Sequence, residues 1–467
     1  MRHGQRTIWE GWFPEQATDW WEPWMREADQ LLDDEELLEA VYEAQGRRHP
    51  KSRQRGRRQT PAEVALRLAV LKHVRNWSFE EMEREVRANV VYRQFTRIGA
   101  EKVPDAKTMQ RQVQALGPEV VKKIQQRLVR MAQERKAVRG RRLRMDTTVV
   151  ESNIHYPTDS SLLGDGVRVL TRTMKTITAL TGEVGTRLRD RMRTVRRRVM
   201  EIGRASRSKG AQYEEKIKQG YRKLLRVSRQ VVNQAVRFSE EISSGVKRVC
   251  RNQRTKLRSF QQQLGTMIPR VKQVICQARA RVLRGQLHVR NKLVSLFEPS
   301  AEVIRKGKAG KPTEFGKMVK VQEAENQIIT DYEVFEKRPN DSDLLVPAVE
   351  IHREQFGQAP KLVATDAGFY SAANERELGE IGVQKVSIPN RGTKSEERRR
   401  HQKKRWFRRG QKWRTGCEGR ISLLKRRHGL NRCRYRGEAG MHRWVGLGVI
   451  ADTLINIGRI LAKNRTG

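Results

Sequence analysis

After residue 60 the apolar residues of the chain recur at helical spacing. The stretch TPAE at 60–63 offers a cap residue, a proline at the first helical position and a glutamate at the third. The run VALRLAVLKHV at 64–74 then repeats apolar residues every three or four positions. A capping-box order at 78–81 and a cap residue at Asp105 predict two further helices. The resulting helical domain over residues 60–137 is compatible with a helix-turn-helix module and equally with any small helical bundle.

Beyond residue 138 the apolar positions alternate, which is typical of strands with one buried face. The stretch RRLRMDTTVV at 141–150 alternates in this way, and residues 317–336 divide into two strands around a polar turn at Asn326. The stretch KLVATDAGFYS at 361–371 is predicted to be a strand, KLVAT, that runs into a glycine-containing turn. The remaining predicted elements are a short strand at 385–389 and two amphipathic helices at 342–357 and 373–383. This order predicts an α/β domain in which helices flank a mixed sheet.

Residues 166–297 interrupt this domain with a strongly basic helical stretch. They hold 33 Lys or Arg against 7 Asp or Glu, a net charge of +26. Apolar residues between Leu224 and Val236 keep helical spacing, and glycines and Pro269 divide the stretch into several long helices. Such helices can bury one apolar stripe and turn arginine-rich faces to a DNA backbone, with binding that weakens as salt rises. The alternative is a solvated helical arm without a ligand.

The N-terminal segment has the opposite charge. Residues 1–45 hold twelve acids and three bases. They also hold five of the nine tryptophans, Trp9, Trp12, Trp20, Trp21 and Trp24. The segment either packs these rings on the chain's own core, the interpretation we favour, or docks on a partner subunit and shields basic surface. The connector RRHPKSRQRGRR at 47–58 has no apolar residues to bury and is predicted to be a linker that touches phosphates.

These changes in pattern and charge divide the chain into six predicted regions. They are an acidic tryptophan-rich segment at 1–46, a basic linker at 47–59, a helical DNA-binding domain at 60–137, the first part of the α/β domain at 138–165, an all-helical basic insertion at 166–297 and the remainder of the α/β domain at 298–467.

The overall charge narrows the class of partner. The chain of 467 residues carries a formal net charge of +45, and a polyanion, most commonly nucleic acid, balances such self-repulsion. An anionic membrane is the rival, but no apolar run approaches the length that spans a bilayer, so no membrane partner is expected. The N-terminus lacks the apolar core of a signal peptide, and the four cysteines show no close pairing. A reducing cytoplasm is therefore expected.

Three carboxylates stand at positions suited to a shared site. Asp146 lies in a predicted strand, Asp366 ends another, and Glu418 begins a predicted helix within the basic stretch WRTGCEGRISLLKRRHG at 413–429. Carboxylates from two strands and an adjacent helix can converge on a hard cation such as Mg²⁺, which keeps coordination positions for substrate phosphates. The surrounding positive charge lets a DNA backbone approach the acids. Spacing alone does not single out these three from the 53 acids of the chain.

Four stretches of the chain carry a resemblance to a known family. They are RMDTTVVESNIHYPTDSSLLGDGVRVLTR at 144–172, ITDYEVFEKRPNDSDLL at 329–345, VATDAGFY at 363–370 and RTGCEGRISLLKRRHGLNRCRYRG at 414–437. These stretches resemble bacterial insertion-sequence transposases of the DDE class and are most similar to the ISNCY group. A large related group carries a Y-x2-R-x3-E-x6-K signature. Its R-x3-E-x6-K part matches Arg414, Glu418 and Lys425, while Gln411 stands at the tyrosine position.

The resemblance implies an RNase H-like catalytic core, which agrees with the predicted order of strands. It implies an enzyme, a DNA transposase that binds the ends of an insertion sequence and performs metal-dependent strand cleavage and strand transfer. Water attacks a phosphodiester and frees a 3′-hydroxyl, which then attacks a target strand, so both steps are in-line phosphoryl transfers. By resemblance, Asp146, Asp366 and Glu418 are the catalytic residues and the ligands of two Mg²⁺ or Mn²⁺ ions.

The same resemblance implies that Arg414 and Lys425 contact phosphates near the scissile bond, one helical turn before and two turns after the glutamate. Arg420 in the same stretch, and Arg405 and Trp406 among the basic residues at 398–414, are further predicted DNA contacts, with the indole stacking on an unpaired nucleotide. The alternatives are solvated helix charges for the basic residues and ordinary packing for the ring.

The implied partners are double-stranded DNA, as terminal inverted repeats and as target, and a second copy of the chain, because joining two ends in a synaptic complex demands at least a dimer. The implied location is the bacterial cytoplasm, in association with the nucleoid. Asn340 and Asp341, in the stretch RPND, are predicted to cap the helix that follows rather than to take part in catalysis.

Three hypotheses about function remain open from the sequence. The first is an active transposase of the DDE class. The second is a catalytically silent DNA-binding protein derived from a transposase. The third is a two-metal nuclease on the same core that hydrolyses DNA but does not join strands. Glu418→Ala separates the second from the first, and a joining assay with a pre-cut end separates the third.

Overall fold

The structure is a computed structural model that describes residues 19–48, 59–181, 187–207, 212–245, 251–305 and 312–466. Two compact units make up the chain. The first contains Met1–Asn153 and Ile304–Gly467, and the second contains Ile154–Val303. The predicted helical domain and most of the predicted α/β domain thus belong to one unit. The second unit contains the whole of the predicted basic insertion together with residues 154–165 and 298–303 of the predicted α/β domain.

The helices, in chain order, are α1 Pro23–Leu32, α2 Glu35–Arg48, α3 Ala62–Arg75, α4 Phe79–Ala88, α5 Val90–Phe95, α6 Ala106–Ala115, α7 Pro118–Glu134, α8 Asp159–Thr181, α9 Met192–Ala205, α10 Tyr213–Gly245, α11 Arg251–Ala278, α12 Leu345–Phe356, α13 Ala372–Ile381, α14 Glu396–Lys403, α15 Arg405–Arg427 and α16 Glu438–Thr466. The strands are β1 Arg142–Glu151, β2 Glu302–Arg305, β3 Thr313–Glu323, β4 Ile329–Val334, β5 Leu362–Ala364 and β6 Lys385–Ser387.

The helix start signals at Ser78 and Asp105 act as predicted, whereas the signal at 60–63 does not: α3 begins at Ala62, with Pro61 at the cap position and no side-chain cap bond. The Ser78 hydroxyl accepts a hydrogen bond from the Glu81 amide at 3.0 Å, and the Glu81 carboxylate accepts one from the Ser78 amide at 2.6 Å. The Asp105 carboxylate accepts from the amide of Thr108 at 2.7 Å. Each side chain satisfies main-chain donors that a helix start leaves without partners, which confirms the predicted starts of α4 and α6.

Helices α1–α7 pack with α16 around one apolar core. Trp21 and Trp24 of the acidic segment are buried in it, with ring centroids 5.8 and 5.6 Å from the Phe95 ring in edge-to-face geometry. These two rings confirm the interpretation that the segment packs on the chain's own core. Trp20 is exposed, and Trp9, Trp12 and most of the predicted basic linker lie outside the described residues.

Acids of α1 and the turn that follows neutralise arginines of the neighbouring helices. The fully buried Arg67 guanidinium donates to the carboxylates of Asp29 and Asp33 at 2.5 and 2.6 Å. Arg127 of α7 pairs with Asp34 at 2.7 Å. The acidic character of the segment therefore serves the fold, since a buried guanidinium without a carboxylate is strongly destabilising.

Helix α16 is long and apolar enough to cross a membrane by length and composition alone. The prediction that the chain has no such run therefore overlooked this helix, in which Asp452 and Arg459 interrupt the apolar residues. Most of its apolar stretch is buried within the protein, and Leu447, Ile450 and Leu454 belong to the N-terminal core. A central core helix satisfies the same criteria of length and composition.

The strands form one mixed sheet in the order β2-β3-β1-β5-β6, with β4 also paired to β3. β1 is antiparallel to β3 and parallel to β5, and β5 is parallel to β6. This arrangement confirms the predicted mixed α/β sheet. β2 was not predicted, because only one residue of this four-residue strand, Ile304, is buried.

The two faces of the sheet are covered by different helices. Leu143 and Met145 of β1 pack in one apolar cluster with Leu345 and Val349 of α12. Val150 belongs to a second cluster that includes Cys417 and other residues of α15. Side chains alternate between faces along a strand, so the even-numbered residues of β1, including Asp146, point to the α15 side.

The entry into β1 depends on Gly140 and His352. Gly140 has φ +65°, and a Cβ there would stand 2.4 Å from the Phe356 ring, so only glycine fits. The buried imidazole of His352 donates from Nε2 to the Gly140 carbonyl at 2.8 Å. Burial lowers the pKa of His352 to about 4, because the charged imidazolium is costly without water.

We expect His352 to make the protein less stable in acid. Its imidazole binds a proton near pH 6.5 when unfolded but only near pH 4 when folded, so the free energy of unfolding falls as the pH drops through this interval. The loss amounts to roughly 3 kcal/mol at the acid end. His352→Gln keeps a donor for the Gly140 carbonyl and should reduce the difference in unfolding free energy between pH 7 and pH 4.5, measured by chemical denaturation. The exposed His155→Gln serves as control, and an unchanged pH dependence in His352→Gln would contradict the prediction.

The second unit is helical, as its apolar spacing predicts. Leu170 of α8, Leu224 of α10 and Val271 of α11 share one buried cluster. The buried Asp159 carboxylate at the start of α8 pairs with Arg281 at 2.6 Å. Basic residues such as Arg222, Arg226 and Arg229 of α10 are exposed. The apolar stripes are thus buried against each other, and arginines remain at the surface of this unit.

Candidate active site

Asp146 and Asp366 lie at the same level of two neighbouring parallel strands. The ladder between β1 and β5 pairs Leu143 with Val363 and Arg144 with Ala364. Each aspartate follows two residues after this last pair, and both are half-buried. Neighbouring strands are about 4.8 Å apart, so the register places the main chains of these two aspartates side by side in the sheet.

Main-chain amides hold one oxygen of each carboxylate. Oδ1 of Asp146 accepts from the amide of Thr147 at 2.7 Å. Asp366 caps the short 3-10 helix at 367–369, where its Oδ1 accepts from the amide of Gly368 at 3.0 Å. The turn predicted after this strand therefore fixes the side chain of Asp366 as well as the path of the main chain.

A further acid, Asp341, stands beside Asp366. A Cβ built on Gly368 would lie 3.2 Å from Oδ1 of Asp366 and 3.3 Å from Oδ2 of Asp341. The other oxygen of Asp341 accepts from the Thr147 hydroxyl at 3.1 Å. Sequence reasoning assigned Asp341 to a helix cap, but Asn340 occupies the cap position without a side-chain cap bond and donates its amide to Asp343. The sequence signal for Asp341 as a site residue was its position in the stretch RPND, which follows the predicted strand observed as β4.

We expect Gly368→Ala to impair the site without unfolding the chain. The new methyl group would crowd the carboxylates of Asp366 and Asp341 by a few tenths of an ångström, and small displacements of reacting groups lower rates steeply. For the DNA cleavage that the family resemblance implies, the predicted result is a rate about tenfold lower with an unchanged melting temperature. Gly379→Ala, whose methyl group would meet nothing within 4 Å, is the control. Equal rates for the two variants would contradict this geometry.

Helix α15 carries Glu418 and packs on β1, β5 and β6. The Gln411 amide donates to the Thr365 carbonyl at 3.2 Å and to the Ser387 hydroxyl at 3.0 Å. The residue at the tyrosine position of the family signature thus ties α15 to the ends of β5 and β6. Arg144 of β1 donates to the carbonyl of Trp413, and its guanidinium lies 4.8 Å from the centre of that ring.

Glu418 is paired with Arg414 at 2.9 Å, one turn earlier on α15. Its side chain is 59% exposed, whereas that of Arg414 is 14% exposed. Within the described residues, no three His, Cys, Asp or Glu side chains form a group that could hold a metal ion. The donor chemistry of Asp146, Asp366 and Glu418 nevertheless suits Mg²⁺ or Mn²⁺, which prefer carboxylate oxygens. Arg414 contacts Oε1 of Glu418, so this ion pair competes with a cation for the carboxylate.

Cys417, directly before Glu418, lies on the buried face of α15. Burial raises the pKa of its thiol well above the usual range, and the carboxylates of Glu323 and Asp146 raise it further. The side chain is therefore a neutral thiol that packs with Val150 and Leu424. Burial and the raised pKa disfavour the thiolate that a nucleophilic role would require.

The predicted DNA contacts divide into accessible and inaccessible residues. Lys425 lines an open cavity of about 780 Å³, and Arg405 is exposed. Trp406 is half-buried and makes edge-to-face contacts with His401 and Phe407. Its ring thus has packing partners in the chain itself.

Arg420 is buried rather than presented to DNA. Its guanidinium donates to the Asp452 carboxylate of α16 at 2.8 Å and also contacts Gln327. The side chains of Arg420 and Asp452 are 4% and 2% exposed. The position on α15 explains the difference, because Arg420 lies on the same side of the helix as Cys417 and Leu424.

Comparison with known protein families gives two matches. The family model described as a transposase domain (DUF772) matches residues 17–114, and the model described as a transposase DDE domain matches residues 381–461. The second match contains Glu418, whereas Asp146 and Asp366 lie outside both. No curated protein and no solved structure matches the chain. The two family matches support an insertion-sequence transposase, and the ISNCY group stays a prediction.

Proposed function

We propose that this chain is a DNA transposase of an insertion sequence that cleaves the element ends and joins them to target DNA on an RNase H-like core. The observation that carries the proposal is the common level of Asp146 and Asp366 on the parallel strands β1 and β5, under the helix that bears Glu418. The two transposase family matches support the same reaction class, and the net charge of +45 suits a polyanionic substrate.

Asp146, Asp366 and Glu418 are the residues that would hold divalent cations, as Mg²⁺ or Mn²⁺. When bound, such cations lower the pKa of an attacking water and stabilise the leaving oxygen in a phosphodiester exchange. The main-chain amides of Thr147 and Gly368 orient the two aspartates, so that little reorganisation is needed when DNA arrives.

Arg414 has a positioning role in this proposal. Its guanidinium neutralises Glu418, which limits the repulsion between that carboxylate and an approaching DNA backbone. The scissile phosphate carries the negative charge that would take the place of Glu418 beside Arg414. The side chain of Arg414 is largely buried, which preserves its direction during such an exchange.

The proposed reaction consists of two phosphoryl-transfer steps. Water attacks the phosphorus, the P–O3′ bond breaks, and the departing oxygen takes a proton to become a 3′-hydroxyl. That hydroxyl then attacks a phosphodiester of the target, so a new P–O3′ bond forms while the target's own P–O3′ bond breaks, and the departing 3′-oxygen takes up the proton that the attacking hydroxyl loses. We place this reaction in the bacterial cytoplasm on nucleoid DNA, with at least two copies of the chain holding two element ends.

The deciding experiment uses the full chain and a pre-cut DNA end with a free 3′-hydroxyl. The end sequences come from the inverted repeats that should flank the gene. With Mg²⁺ and a target plasmid, joined product supports the transposase, and cleavage without joining supports a two-metal nuclease. DNA binding without either reaction, under conditions in which Glu418→Ala behaves like the unsubstituted chain, would leave only a silent DNA-binding protein.

A further inference from the structure

A cavity of about 570 Å³ opens beside the first half of α15. Its lining includes Arg391, Arg399 and Arg408, which are all exposed, together with the Gln411 amide. Across the part of the chain that the structure describes, no ion pair neutralises these three arginines. Gln411 also bonds the carbonyl of Thr365, directly before Asp366. This first cavity therefore presents positive charge next to the candidate active site.

A second cavity of about 780 Å³ opens at the other end of α15. The charged residues of its lining are all basic, namely Lys425, Arg426, Arg432 and Arg434. Glu151 partly neutralises one of them through a contact of 3.4 Å with Arg432. Side-chain amides complete the wall, so the cavity offers hydrogen-bond donors together with positive charge. This chemistry suits a phosphodiester rather than a neutral ligand.

The wall of the second cavity is fixed before any ligand binds. Asn76 at the end of α3 has a left-handed backbone, and its carbonyl accepts from the Arg434 guanidinium at 3.2 Å. Gly429 has φ +76°, and a Cβ there would lie 2.7 Å from both Asn76 and Trp444. The end of α3 thus holds the loop after α15 in place, and a preformed site loses less entropy on binding.

Between the two cavities runs a polar stripe along α15. At about 100° per residue, one side of the helix collects Arg408, Gln411, Thr415, Glu418, Ser422 and Lys425. Thr415, Glu418 and Ser422 are exposed, and the two hydroxyl side chains are short enough to let a backbone approach. The third carboxylate of the candidate site therefore lies on a path that begins and ends in a basic cavity.

We propose that this stripe and its two cavities form a track for a single DNA strand, which passes Glu418 with phosphates in both cavities. The proposal deepens the proposed function and rests on it, because it names the strand path at the same site. Arg408 and Arg426 are 18 residues apart on α15, which is about 27 Å of helix. At about 3.4 Å per nucleotide of a stacked strand, this span equals about eight nucleotides.

The shape of the surface favours one strand over a duplex. A single helix is about 10–12 Å wide with its side chains, and the basic residues concentrate in a concavity at each end. An unpaired strand can place its phosphates in both concavities while its backbone follows the helix.

The test compares two double variants that remove the same charge from the same helix. Arg408→Gln with Arg426→Gln removes one arginine from each cavity. Arg409→Gln with Arg427→Gln is the matched control, since these exposed neighbours line neither cavity. Arginine and glutamine have similar helix propensities, so both variants should keep the melting temperature. Affinity is measured in EDTA, where no cleavage intervenes, for single strands of 12 and 3 nucleotides and for a 12-base-pair duplex.

For the 12-nucleotide strand, the cavity variant should bind at least tenfold more weakly than its control. Its salt slope should be lower by about 1.4, because each lost phosphate contact on a single strand removes about 0.7. For the trinucleotide, which is too short to reach both cavities, the slope should fall by only about 0.7.

Two results would overturn the track. Equal losses of affinity and slope in both double variants would mean that only overall charge acts. A loss confined to the duplex would assign the face to paired DNA. Cleavage is assayed separately with Mg²⁺, so a chain that cleaves DNA but shows either result retains its proposed function without this strand path. A chain that does not cleave loses the proposed function whatever its binding data show.

Discussion

Replacing Asp366 with asparagine should abolish DNA strand cleavage while leaving the fold intact. Asparagine can accept the Gly368 amide as Asp366 Oδ1 does, and the two residue types are equally good helix caps. The substitution removes only the negative charge that the proposed cation needs. The cleavage rate should fall by at least about a thousandfold. The affinity for DNA should stay the same or rise, because the substitution removes a negative charge that repels phosphates.

Asp343→Asn is the matched control for this prediction. Asp343 lies in the same unit, is exposed, and its carboxylate accepts from the Asn340 amide at 3.0 Å. The same charge is removed there without touching the candidate site. Cleavage is measured on a labelled end fragment at saturating Mg²⁺. Full activity of Asp366→Asn, or an equal loss in both variants, would remove Asp366 from the catalytic residues.

Arg420→Ala should be the most destabilising single substitution among the basic residues of α15. It leaves the Asp452 carboxylate buried without its guanidinium partner at 2.8 Å. Breaking a buried pair from one side costs about 3–5 kcal/mol. Burial already raises the pKa of Asp452 to about 6 although Arg420 opposes the shift. Without Arg420 this pKa rises further, so the loss in unfolding free energy should be larger at pH 8 than at pH 5, where the carboxyl is protonated.

A double variant separates the buried pair from a role in DNA binding. Arg420→Met with Asp452→Leu replaces both charges by apolar groups, which is often close to neutral for stability. Its unfolding free energy, measured in urea, should return to within about 1–2 kcal/mol of the unsubstituted chain. If Arg420→Ala kept its stability but lost DNA affinity, the guanidinium would have to reach DNA after all.

The sequence determined most elements of the sheet domain. Alternation of apolar residues predicted a strand at 141–150, which is observed as β1 Arg142–Glu151. The polar residues around Asn326 predicted a turn, and Asn326 has φ +58° there. These features depend on the dihedral preferences and side-chain periodicity of neighbouring residues, which a local pattern records. β5 covers Leu362–Ala364 of the strand predicted at 361–365, because a partner strand and not the apolar pattern decides where pairing stops.

The same contrast holds for the charged residues. Local spacing and family resemblance selected Asp146, Asp366 and Glu418, but could not show that Asp341 stands beside Gly368. Nor could they show that Arg420 is buried against Asp452 while Arg426, six residues later, is exposed. The sequence does not distinguish a buried arginine from an exposed one, because burial and pairing depend on residues far away in the chain.

By itself, then, the sequence determined where most helices and strands form, the net charge of the chain, and which acids are candidate metal ligands. Only the tertiary structure decided the sheet order, the common level of Asp146 and Asp366, and which basic residues remain open to a ligand. The physical reason is the separation along the chain between the residues that interact. Helix and strand formation is encoded within a few residues, but strand register and the pairing of a buried charge are settled by side chains that meet only after the chain has folded.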